Sequence, residues 1–148
     1  MNENANSLKE GYIGPYFVEG IARDPTRSGY PHLSVINLEK GMHFVVVKID
    51  RKDRQNGDPV QSIRALTEHQ GKVVLPSIQK FTNILYENSI CYIVLQRVKS
   101  SLAERLSSGT RLEENEISET FIPIITALDA LHKAHIAHLN VSLDTILY

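Results

Sequence analysis

The chain has 148 residues, one cysteine, no tryptophan and a net charge of only −1. A single thiol, Cys91, excludes an internal disulfide, and its place within an apolar run marks it as a buried core thiol in a reducing compartment. Basic and acidic residues number 11 and 9 up to Lys80 and 5 and 8 beyond it, so neither half carries the one-signed field of a nucleic-acid binder. The longest apolar run, Ile90 to Leu95, is six residues, far below the roughly 18 that span a bilayer. The first ten residues lack the apolar stretch of a secretory signal. These absences predict an intracellular, cytoplasmic protein with no membrane span and no nucleic-acid partner.

What is present is enough for one globular domain, at 42% hydrophobic and 22% charged residues. Residues 1–14 read as a flexible tail closing on Gly14-Pro15. Tyr16–Ala22 reads as a strand, and Arg23 to Pro31 is dense in turn formers. His32–Leu38 and Met42–Ile49 form a hairpin about Glu39-Lys40-Gly41. Asp58-Pro59 starts a helix reaching about His69, with Val60, Ile63 and Leu66 on one stripe and Gly71 ending it. Two further strands are expected over Val73–Phe81 and Ile90–Val98, around a turn at Glu87-Asn88-Ser89.

From Ser100 the period changes. Ser100 or Ser101 caps a short helix carrying Leu102 and Leu106, and a long helix follows between Glu113 and Ala134. Its stripe holds Ile117, Phe121, Ile124, Ile125, Leu128 and Leu131. Pro123 predicts a kink or two helices meeting there. The expected organisation is a tail over 1–14, a strand-rich unit over 15–98 and a helical unit over 99–148.

This order of elements resembles the first half of a protein kinase of the Ser/Thr type. Val45-Val46-Val47-Lys48 resembles the V-A-I-K strand, and Tyr92 to Val98 resembles the strand entering the hinge. His138-Leu139-Asn140-Val141-Ser142-Leu143-Asp144-Thr145-Ile146-Leu147 resembles the catalytic loop H-R-D-L-x-x-x-N-I-L. The resemblance implies an α+β fold with a five-stranded antiparallel N-lobe sheet and one helix, then the hinge and first C-lobe helices. The chain ends at Tyr148, ahead of D-F-G, so the rest of that lobe is expected to be absent.

At the positions the resemblance makes catalytic, the chemistry is lost. Asn140 stands for the Asp that accepts the substrate proton, and an amide has no basic oxygen at neutral pH. Ser142 stands for the Lys that steadies the transferring phosphoryl, Thr145 for the Mg²⁺-binding Asn, and Leu139 for the Arg beside the Asp. The glycine-rich loop corresponds to Ala22–Gly29, where Asp24 repels phosphate and Pro25 removes a donor. Lys48 is a possible ATP phosphate contact and Gln96, Arg97 and Val98 a possible hinge, but Gln61 replaces the lysine's Glu partner. No cofactor is expected, ATP being conceivable only without normal Mg²⁺ coordination.

His132, His135 and His138 are spaced to suggest metal ligands, yet the resemblance explains His132 and His138 as packing elements, so no metal site is expected. Asp144 reads as a surface loop residue and Glu113, Glu114, Glu116 and Glu119 as a solvated face. The expected function is that of a catalytically inactive kinase-like domain, a protein-binding scaffold or allosteric regulator whose partner is an active kinase or a second copy. Phe121, Ile124, Ile125 and Leu128 are the candidate contacts. The alternative is a degenerate Ser/Thr kinase relative that retains ATP binding.

Overall fold

A computed structural model describes residues 11–26, 28–52, 61, 64–65, 68 and 76–148. The fold is mixed α+β, and its strands form one antiparallel sheet. The strands are β1 (Tyr12–Ile13), β2 (Tyr16–Ala22), β3 (His32–Asn37), β4 (Met42–Asp50), β5 (Phe81–Glu87) and β6 (Ile90–Gln96). Their spatial order is β1-β2-β3-β4-β6-β5. Two helices follow, α1 (Leu102–Ser107) and α2 (Glu114–Lys133). The chain divides into two compact units: one that holds the six strands, and a second that includes Val98–Tyr148.

The sheet is built around the apolar runs of β4 and β6. Their register sets Val46 opposite Val94 and Lys48 opposite Tyr92. One face carries Ile13, Tyr16, Val35, Phe44, Val46, Tyr92 and Val94 as a buried cluster, with the Tyr16 and Phe44 rings edge to face at 5.5 Å. Val47, Ile49, Cys91 and Ile93 occupy the alternate positions and are buried as well. Burial on both faces is why Phe44–Val47 and Ile90–Leu95 read as unbroken apolar runs instead of alternating. Burial also pushes the Cys91 thiol pKa up.

Several expectations change. Among the described residues the sheet has six strands where five were expected, because Tyr12 and Ile13, read as tail, pair with Phe17 and Tyr16 and bury Ile13. The turn between β1 and β2 places Gly14 at φ +54°, where a Cβ would lie 2.9 Å from Leu85 Cδ1. Glycine alone meets both demands. The strand expected over Val73–Phe81 instead spans Phe81–Glu87, and Pro76–Lys80 is turn and irregular chain. Residues 73–75 of that expectation lie outside the described residues, as does most of the helix expected to about His69. Gln61, Arg64, Ala65 and Glu68 are helical.

Helix α1 opens on a complete capping box: Ser101 Oγ accepts the Glu104 N–H and the Glu104 carboxylate accepts the Ser101 N–H. Helix α2 runs unbroken through Pro123, so the expected division into two helices does not occur. A proline removes one N–H donor, and the remaining ladder of a 20-residue helix holds the segment together. Its C-terminus is a Schellman motif, with Ile136 N–H on Leu131 O and His135 N–H on His132 O. His135 sits there at φ +58°, a position usually taken by glycine. Among the described residues no helix is long and apolar enough to cross a membrane.

Candidate functional site

In the sheet unit, the loop joining β2 to β3 is folded about a carboxylate. Asp24 Oδ2 accepts the Ser28 hydroxyl at 2.8 Å and the Gly29 N–H at 3.2 Å. Ser28 Oγ accepts the Tyr30 N–H at 3.3 Å. His32 Nε2 stands 3.6 Å from Asp24 Oδ1, and its Nδ1 is 2.7 Å from Tyr30 O. Sequence reading found Asp24 as an obstacle to phosphate but not as the centre of the loop, since a carboxylate bonding to residues four and five positions on leaves no periodic trace.

Lys48 is half-buried on β4, and its N–H donates to Pro31 O at 2.9 Å. Its strand partner is Tyr92, whereas Gln96 pairs with Phe44. The two are thus four residues apart along the ladder, roughly 13 Å at about 3.3 Å per residue. Gln96 and Arg97 are exposed at the end of the sheet unit, and half-buried Val98 belongs to the second unit. Gln61 also belongs to the second unit.

A cluster the sequence did not reveal lies on the sheet surface. Glu19 Oε2 accepts Ser34 Oγ at 2.9 Å and faces His43 Nδ1 at 3.1 Å. Hydrogen bonds from Ser34 and His43, together with the nearby Arg97 charge, hold the Glu19 pKa below its ordinary value. Both donors converge on the carboxylate, so the serine proton goes to Glu19 and not to the imidazole. That is not the relay by which a serine becomes a nucleophile.

In the second unit, the loop after α2 brings Asn140, Ser142 and Thr145 together. Thr145 Oγ1 donates to Asn140 O at 2.7 Å and accepts the Ser142 N–H at 3.0 Å. The Asn140 N–H reaches His138 Nδ1 at 3.3 Å. One hydroxyl therefore ties both ends of the loop, and Leu139 is held at φ +61° with 92% of its surface exposed. The loop is laced to α1 by Leu102 N–H on Ile146 O and Ala103 N–H on Leu143 O. Lys99 N–H donates to Tyr148 O, and Tyr148 N–H to Ser100 O. Asp144, expected on the surface, is half-buried, with Oδ1 shut off from solvent.

The acidic start of α2 is more than a solvated face. Glu116 accepts the Glu113 N–H at 3.1 Å and pairs with Arg105, whose guanidinium also lies 5.2 Å from the centre of the Tyr148 ring. These hold the Glu116 pKa below its ordinary value, the Glu113 backbone bond first and Arg105 next. Along α2, Phe121, Ile124 and Leu128 are half-buried, and Ile125 is 63% exposed. Ile122, which was not among the candidate contacts, is equally exposed. Among the described residues no three His, Cys, Asp or Glu side chains are grouped to hold a metal.

No protein-family model matches the chain. The human Hormonally up-regulated neu tumor-associated kinase is 24% identical over 161 aligned positions, covering 93% of this chain and 22% of that protein. Serine/threonine-protein kinase VPS15 of Saccharomyces cerevisiae is 28% identical over 108 positions, or 72% of this chain and 7% of that one. Mouse Serine/threonine-protein kinase SIK1 is 26% identical over 104 positions, or 70% and 13%. The chain spans less than a quarter of the length of these relatives. At this distance, and with an antiparallel sheet followed by helices, the relationship supported is a kinase-like one.

Proposed function

We propose that this chain is a catalytically inactive kinase-like domain that acts by binding another protein, as a scaffold or an allosteric regulator. The observation that carries the reading is the loop about Asn140. A phosphotransferase needs at this point a base for the substrate hydroxyl and a ligand for Mg²⁺. Asn140 supplies an amide, and the single Thr145 hydroxyl proton is given to Asn140 O. The loop keeps a fixed shape without the groups that make the shape catalytic.

The exposed apolar side chains of α2 support the binding half of the reading, because such groups off the core mark interaction surfaces. An active kinase or a second copy of the chain is the partner class in view. The test has two arms: transfer of labelled phosphate from Mg-ATP to a protein substrate, and capture of the partner by variants. No transfer is expected, with capture lost on Ile125→Asp and kept on Lys48→Ala. Transfer above background would overturn the inactive reading, and the opposite pattern of capture would favour a domain that works through bound nucleotide.

A further inference from the structure

The β2–β3 loop holds a set of donors that an oxyanion would use, and the chain fills that set with its own carboxylate. The Ser28 hydroxyl and the Gly29 N–H both point at Asp24 Oδ2, and His32 Nε2 stands beside Oδ1. His32 is 6% exposed and the Asp24 side chain 18%, while Ser28 and Gly29 lie on the exposed side of the loop, where an incoming anion would meet them; hydrogen bonds to the charged carboxylate are the stronger kind. The Ser28 oxygen that donates to Asp24 also accepts the Tyr30 N–H, which ties the far side of the loop to the same carboxylate.

We propose that Asp24 is an internal anion that closes this loop against phosphate. The proposal rests on the kinase-like reading above, in which this loop is the one that would face a nucleotide's phosphates, and it names what regulates that site. An incoming phosphate meets a negative charge already seated on the Ser28 and Gly29 donors. It must displace that carboxylate or bind elsewhere. Removing the carboxylate leaves the Ser28 hydroxyl and the Gly29 N–H able to take an oxyanion.

The test uses the full chain, with amide hydrogen exchange at Gly29 and resonance shifts at Ser28–Tyr30 on adding tripolyphosphate without metal. In the unaltered chain Gly29 is expected to exchange about tenfold or more slowly than in Asp24→Ala, the worth of one hydrogen bond to a charged acceptor. Tripolyphosphate should shift Ser28–Tyr30 in Asp24→Ala and not in the unaltered chain. Asp24→Asn keeps an acceptor without the charge and should fall between, which keeps the test decisive if Asp24→Ala fails to fold. Equal Gly29 exchange in the unaltered chain and in either variant, or tripolyphosphate shifts at Gly29 in the unaltered chain, would overturn the proposal. Phosphate transfer by the unaltered chain overturns the inactive reading instead, and the Gly29 exchange rate reports on the lock separately.

Discussion

Thr145 shows how one hydroxyl can hold a loop. Its hydroxyl spans from Asn140 O to the Ser142 N–H, so the backbone of the loop is fixed by one short side chain. Thr145→Val keeps the shape and removes the hydroxyl's bonds to Asn140 and Ser142, and should cost about 1–2 kcal/mol by denaturant titration. Thr145→Ser should stay within a few tenths of the parent. Equal stability of the valine and serine variants would show that the hydroxyl does not hold the loop. The substitutions themselves were legible in the sequence, since Asn140, Ser142 and Thr145 differ in type from the resembled pattern. The hydrogen bond was not, because neither spacing nor composition says which hydroxyl reaches which carbonyl.

At the scale of elements, both ends of α2 carry a prediction. His135 closes the Schellman motif at φ +58°, a conformation in which a Cβ costs roughly 1–2 kcal/mol. His135→Gly should therefore stabilise the chain by about 1 kcal/mol, less than the strain relieved because glycine also loosens the unfolded state. A lower melting temperature for that variant would refute the account. At the other end, Glu116 has a depressed pKa from the Glu113 N–H and Arg105. A depressed carboxylate stabilises above its ordinary value of 4.5 and loses that contribution as pH falls through the lower folded value. The melting temperature of the parent should fall more between about pH 5 and pH 3 than that of Glu116→Gln. Parallel falls would remove Glu116 from the acid response.

Elements with a strong period were the ones sequence reading placed well. Helix α2 lies within a residue of its expected ends, Ser101 is the α1 cap, and the β3–β4 turn falls at Lys40-Gly41. Strand β1 escaped because two residues carry no period, and only the pairing of Ile13 with Tyr16 reveals them. Strand β5 was placed too early because Val73-Val74-Leu75 is the stronger apolar run, while Phe81–Glu87 is an edge strand whose Thr82 and Tyr86 face water. Pro123 does not end the helix, because a proline removes one N–H donor while the turns on either side keep theirs.

For the whole molecule, whether a nucleotide is a partner turns on three places in the chain. On the proposed reading, the β2–β3 loop presents a carboxylate where phosphate would sit, Asn140 and Thr145 stand in place of the resembled Asp and Asn, and of the phosphate- and metal-contacting positions of the resembled pattern Lys48 alone is kept. One lysine contributes a point charge, and much of that is lost to water and salt unless further donors share the ligand. A thermal melt of the 148-residue chain with and without millimolar Mg-ATP measures the sum directly. A ligand at 100 times its dissociation constant adds about 2.7 kcal/mol, which for a chain of this size raises the midpoint by roughly 5–10 °C. The expected shift is below 1 °C, about the scatter of such melts and well under what occupancy would produce. A shift of several degrees, abolished by Lys48→Ala, would mean that the lysine and the hinge at Gln96–Val98 hold nucleotide after all, and the protein would then be read as a nucleotide-responsive switch in place of a nucleotide-free docking domain.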